Sequence, residues 1–183
     1  MSRLIRSVVA ISVACAAGAT LAIAQTKTGA TQTARGATPA AQPKVSANLL
    51  QLMRGIVYPA SNVVFAAQGD LSVWGKAPDP SVSPNPLTST YGGWQAVENA
   101  SLALAESANL ILQAGRRCST GTIAPVQRAD WIKYAQGLRD AGLAAYKAAQ
   151  SKNQDAMVDA AGTVADACSA CHAVYREKTR CVP

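Results

Sequence analysis

The sequence contains a single histidine in 183 residues, His172. No stretch alternates apolar and polar residues for long enough to make a useful strand, which excludes sheet architectures and leaves helices. Nor is there an uninterrupted run of about 20 strongly apolar residues, the length a membrane-spanning helix needs. Basic clusters are missing as well. The formal charge is +7, but lysines and arginines are interspersed with acidic residues. That pattern argues against nucleic acid and for partner proteins with acidic surfaces.

What is present begins with "MSRLIRSVVAISVACAAGATLAIAQ". Arg3 and Arg6 precede an apolar run that ends in small residues, Ala22 and Ala24, which is the pattern of a secretory signal peptide cleaved after Ala24. Gly18 and Thr20 break the run, so no membrane span is expected once residues 1–24 are removed. Cys15 does not suggest lipidation, because Ser12 stands where a lipoprotein signal has leucine. The expected location is the periplasm. Residues 25–44 are polar, small and aperiodic and predict a flexible linker. Residues 45–183 are then one domain with one core. Export permits disulfides, so the four cysteines beyond the signal, Cys118, Cys168, Cys171 and Cys181, become informative.

From Val45 on, apolar residues recur at helical spacing. Leu49, Met53, Ile56, Ala60 and Val63 share one stripe, with Leu50, Val57 and Val64 beside it. Pro59 falls inside this helix and predicts a bend there, since it donates no hydrogen bond and its ring crowds the preceding turn. A stretch with four prolines, "GKAPDPSVSPNPLTSTYGG", predicts a long irregular loop. A second helix puts Trp94, Val97, Ser101, Leu104, Ala108 and Ile111 on one face and ends at Gly115. A third opens near Pro125, a residue suited to a first turn, and runs through Trp131, Ala135, Leu138, Ala145 and Ala149. The last runs from about Lys152 to about Lys178 with Met157, Ala161, Val164, Cys168, Cys171 and Tyr175 on its buried stripe. The expected fold is all-α, an antiparallel up-down-up-down four-helix bundle. Its facing stripes carry so many alanines that the core would be thin unless something bulky filled it.

The chemistry concentrates in "CSACHAVYR", residues 168–176. CxxCH is the attachment signature of c-type haem: two thiols add to porphyrin vinyl groups and the adjoining histidine ligates iron. On a helix Cys168, Cys171 and His172 face one way. Three other readings stay open, the plainest being a chance CxxCH in the core helix of a haem-free helical interaction module. A redox-active CxxC pair usually opens a helix after a strand, which is not the context here. A zinc site would need Cys118 or Cys181 to join the three residues, and the spacing does not exclude it.

With its "CSACHAVYR" segment, the preceding "AAQSKNQDAMVDAAGTVADAC" helix and a methionine in the first helix, the chain resembles class II c-type cytochromes, the cytochrome c-prime family. The resemblance covers about residues 45–178 and is most specific in the last helix. It implies one covalently attached haem c that fills the bundle, with Cys168 and Cys171 as tethers and His172 as the proximal iron ligand. It also implies an electron carrier rather than an enzyme, with redox proteins as partners and, in many members, a homodimer. A first-helix residue faces the sixth iron position in that family: apolar in the five-coordinate members that bind nitric oxide or carbon monoxide, methionine in the low-spin branch.

With no second histidine, thioether is the remaining side-chain candidate for that position. Met157 sits on the helix of His172, roughly 22 Å away along its axis, and cannot reach the opposite face of the same ring. Met53 is therefore the candidate sixth ligand, the alternative being a methionine that only fills core space. Leu49, Leu50, Ile56 and Val57 are expected to wall the pocket around it. Arg176 matches the basic position near the proximal histidine, or is a solvated arginine favoured by the helix dipole. Cys118 and Cys181 are left over. In an up-down-up-down bundle they follow helix ends that point the same way, so a disulfide between them is geometrically allowed.

Overall fold

The computed structural model of the protein describes residues 44–176 and Cys181. The expected signal peptide, the linker as far as residue 43 and a helix end at Lys178 lie outside the described residues. The described residues form four helical runs and no strands. The first run is continuous through α1 (Leu49–Leu52), a π turn (Met53–Val57) and α2 (Tyr58–Ala66), followed by α3 (Trp94–Ile111), α4 (Ala129–Ser151) and α5 (Gln154–Tyr175). α3 packs on α4, α4 on α5 and α2 on α3, with a lighter contact between α2 and α5. No helix among the described residues is long and apolar enough to cross a membrane.

Asn48 starts the first run with a capping box: its Oδ1 accepts from the Gln51 amide at 2.9 Å, and Gln51 Oε1 accepts from the Asn48 amide at 2.9 Å. The disturbance expected at Pro59 takes the form of a π turn just upstream, where the Tyr58 amide reaches back five residues to the Met53 carbonyl. The wider turn makes room where the proline ring meets the preceding carbonyls. It also changes which residues face inward. Leu52, Val57, Ala60, Val63 and Val64 are buried, whereas Leu50 and Ile56 are exposed.

The proline-rich connection is more ordered than expected. It folds into three short 3-10 turns, Leu71–Trp74, Pro80–Val82 and Pro86–Thr88, each opened by an Asx side chain: Asp70, Asp79 and Asn85. α3 ends at Ile111, ahead of Gly115, whose positive φ of 81° belongs to the following turn. α4 begins at Ala129 rather than at Pro125, because the Pro125 carbonyl is used in a tight turn that accepts from the Arg128 amide at 3.0 Å.

The stripe expected on α3 is largely as read: Val97, Ser101, Leu104, Ala108 and Ile111 are buried, and Trp94 is half-buried. Small residues let α3 and α4 approach closely. A Cβ built on Gly142 would lie 2.7 Å from the Ala105 amide nitrogen and 2.9 Å from the Ser101 carbonyl. Ser101 causes no polar penalty in this seam, since its hydroxyl donates to the Val97 carbonyl at 2.7 Å.

One end of the fold is stitched together from distant pieces. Arg116 is buried, and its guanidinium donates to the carbonyls of Leu110 and Ala47, both at 2.6 Å, and to Gln113 Oε1 at 3.0 Å. The Leu49 amide donates to the Arg117 carbonyl at 2.8 Å. Cys118 and Cys181 form a disulfide with Cα atoms 5.7 Å apart.

Candidate cofactor cleft

α5 carries two kinds of surface along a single stripe. Its first half, with Met157, Ala161 and Val164, is fully packed. Its second half, with Cys168, Cys171 and His172, is only half-buried and borders a cleft of about 1000 Å³. That volume is at the top of the ~300–1,000 Å³ range of small-molecule and cofactor sites.

Met53 lines the same cleft, from the start of the π turn. Its position follows from the fold. Gln154, at the start of α5, donates its side-chain amide to the carbonyl of Ala67 just past α2, at 2.8 Å. Going back from Ala67 to Met53 and forward from Gln154 to Cys168 covers equal numbers of residues, roughly 21 Å in each helix. Met53 therefore comes level with the cysteine pair. The two methionines in described positions differ sharply: Met157 is fully buried in the packed core, while Met53 is half-buried at the cleft wall.

Arg176 also lines the cleft, exposed at the C-terminal cap of α5, where its amide donates to the His172 carbonyl at 3.0 Å. The five residues singled out in the sequence thus border one cavity. Of the expected walls, Leu49, Leu50 and Val57 are present and Ile56 is not. The π turn adds a residue between Met53 and Pro59, which turns Ile56 outward and brings Arg54, Tyr58 and Ser61 to the cleft. Arg54 and Arg176 are cations, and no aspartate or glutamate among the described residues lines the cavity.

The far wall comes from α4. Trp131 packs edge-to-face against Tyr175, with ring centroids 4.7 Å apart at 76°. The Tyr175 hydroxyl donates to Asp130 Oδ2 at 2.8 Å, and Arg128 Nε donates to Asp130 Oδ1 at 3.1 Å. The Arg128 guanidinium and the Tyr175 hydroxyl hold the Asp130 carboxyl down to about 2. This set joins the start of α4 to the end of α5. Tyr134 also lines the cleft; its tyrosine identity three residues after Trp131 was the only signal for it in the sequence.

Burial pushes the Cys168 thiol up, and burial, the neighbouring Cys168 and Asp130 push the Cys171 thiol up to about 11. A redox-active dithiol needs the opposite shift, toward thiolate. The zinc reading fares no better. It required Cys118 or Cys181, whose sulfurs are bonded to each other. Moreover, no three His, Cys, Asp or Glu side chains among the described residues converge to hold a metal ion.

Compared with protein-family models, curated proteins and solved structures, the chain matches none.

Proposed function

We propose that the chain is an exported monohaem c-type cytochrome of the class II type that carries single electrons between partner proteins. One observation carries the reading: Cys168, Cys171 and His172 border one cleft with Met53 at the same level of the first helical run. The proposed topology is an antiparallel up-down-up-down bundle. It is supported by the two residues, Lys152 and Asn153, that connect α4 to α5, and by the Gln154–Ala67 hydrogen bond.

The cleft suits a haem in size, in its apolar walls and in its charge, because the macrocycle is apolar and its carboxylates are anionic while the charged lining residues are arginines. Cys168 and Cys171 would hold a bound haem as thioethers, and His172 and Met53 would be its iron donors. A bound haem supplies the one-electron iron couple. The polypeptide would contribute a nitrogen and a sulfur donor, two tethering thiols and apolar walls that include Leu49, Val57 and Leu138. Histidine–methionine ligation and burial both raise a haem's reduction potential. The basic balance of the chain, about +5 once Arg3 and Arg6 leave with the signal peptide, favours encounter with acidic redox partners.

The test is expression with the signal peptide in a host able to attach haem c. The expected product keeps the haem mass after denaturation, and its oxidised spectrum has a sulfur-to-iron band that Met53→Ala abolishes. A colourless protein sinks the cytochrome reading. Covalent haem with an unchanged spectrum in Met53→Ala removes Met53 from the iron and leaves the five-coordinate, gas-binding alternative.

A further inference from the structure

Basic residues that are scattered along the sequence are gathered by the fold. The cleft opens at the end of the bundle where the lead into α1, the loop after α3, the start of α4 and the end of α5 meet. These pieces are joined by the hydrogen bonds Leu49–Arg117 and Tyr175–Asp130 and by the Cys118–Cys181 disulfide. Lys44, Arg54, Arg117, Arg128, Lys133 and Arg176 are all exposed there. Among the described residues this end holds one acid, Asp130, which is committed to Arg128 and Tyr175. Glu106, Asp140 and Asp166, with Arg139, lie further along the helices. At the opposite end, where Gln154 meets Ala67, the balance reverses: Asp70, Asp79, Glu98, Asp155 and Asp159 stand against Lys76, Lys147 and Lys152. The two ends are separated by the length of α4, 23 residues or roughly 35 Å. Charges are screened over about 8 Å at physiological salt, so a partner meets the two ends as separate surfaces.

The basic end is not polar throughout. Leu50 on the lip of the cleft and Ile123 in the loop after α3 are large, exposed apolar side chains within it. Exposed apolar groups among arginines are what a protein interface uses, whereas a phosphate backbone asks chiefly for cations. Resting on the electron-carrier reading above, we propose that this end is the docking face and that its partner is a protein with an acidic contact surface. Carboxylates of the partner meet Lys44, Arg117, Lys133 and the rim arginines, Arg54 and Arg176. The acidic far end repels the same partner, so approach is oriented before contact is made. Docked there, the partner covers the opening that His172 borders, and one electron passes from this protein to it with no bond or proton moved.

Lys133 and Lys147 separate a docking face from a net-charge effect. Both are exposed on nearly the same side of α4, roughly 21 Å apart along its axis, and only Lys133 belongs to the cleft end. The reduced, haem-loaded, full-length protein is mixed by stopped flow with hexacyanoferrate(III), a trianion that takes one electron and becomes hexacyanoferrate(II). The wild-type rate falls as salt rises. Lys133→Glu lowers the low-salt rate by roughly threefold or more, whereas Lys147→Glu, the same change in net charge, leaves it near wild type. Lys44→Glu, ahead of the first helical run, repeats the loss and carries the comparison if Lys133→Glu does not fold. Poly-L-glutamate, the acidic-chain probe, slows the wild-type reaction more than that of the cleft-end variants. Equal losses in the variants at the two ends overturn the proposal, because net charge alone then steers; so does a wild-type rate indifferent to salt. Slowing by duplex DNA and not by poly-L-glutamate overturns the acidic-protein assignment. A colourless product defeats the cytochrome reading and this inference together, while a coloured one that gives any of these overturning results defeats this inference alone.

Discussion

Two seams of this bundle have opposite outcomes. Between α3 and α4 the backbones close in until Gly142 presses on Ala105 and Ser101. Between the first helical run and the second half of α5 the walls stand apart around a cleft of about 1000 Å³. Small side chains close a gap only where the helices are free to approach. At the cleft end they are held. Arg116 ties the lead into α1 to the end of α3, Cys118–Cys181 joins the following loop to the C-terminal region, and Trp131, Tyr175 and Asp130 lock α4 to α5.

The strongest way to break this contrast is to remove the covalent clamp. Replacing both Cys118 and Cys181 by serine frees a sequence separation of 63 residues. The loop-entropy model gives about 4 kcal/mol for such a loop, and a loss of about 2–4 kcal/mol is typical. Chemical denaturation under non-reducing conditions measures it, and an unshifted midpoint would show that the clamp does not hold the open end. Next in size is Gly142→Ala, whose methyl group must displace the α3 backbone. The expected loss is about 1–3 kcal/mol, as for other overpacked sites. It should appear in thermal unfolding and leave the cleft spectroscopically unchanged.

The third change sharpens the comparison from the cleft side. The folded state holds Asp130 at about 2, below the ordinary 3.8. The folded state therefore favours the charged carboxylate. Its contribution is complete above about pH 4 and is lost as pH falls toward about 2. Asp130→Asn should flatten the acid limb of a Tm-against-pH curve between those values; an unaltered limb would show that the Arg128–Asp130–Tyr175 set contributes nothing. The smallest effect expected is a gain. Gly162 on α5 is exposed with open space around a built Cβ, so Gly162→Ala should stabilise by about 0.5–1 kcal/mol through backbone entropy. A loss there would mean that helix propensity does not limit α5.

How much of this was legible in the sequence depended on which interaction decided each feature. The four helical runs and the stripe from Met157 to Tyr175 follow from period alone, because burial of one face dominates a long helix. The CxxCH turn, Met53 and Arg176 reached one cleft for the same reason. Local starts and stops were harder. Residues 125–128 contain no Ser, Thr, Asn or Asp, and the N-cap is Arg128 with no side-chain cap bond, so nothing local corrected the expectation at Pro125. Pro59 announced a disturbance but not its form. A π turn depends on how neighbouring helices hold the run, and only that context explains why Ile56 points outward. Trp131 was read as core, which it is. That its buried indole nitrogen meets no hydrogen-bond partner is a property of the surroundings and is invisible to spacing.

The π turn has one more consequence, for how the gene can change. Met53–Val57 carries one residue more than an α-helical turn over the same path. Deleting one residue there and closing the run as an ordinary α-helix would nearly keep the phase of the residues upstream. A one-residue change of length at positions 54–56 should therefore be tolerated better than elsewhere in the run, whereas Met53 and Val57 are held by the cleft that they line.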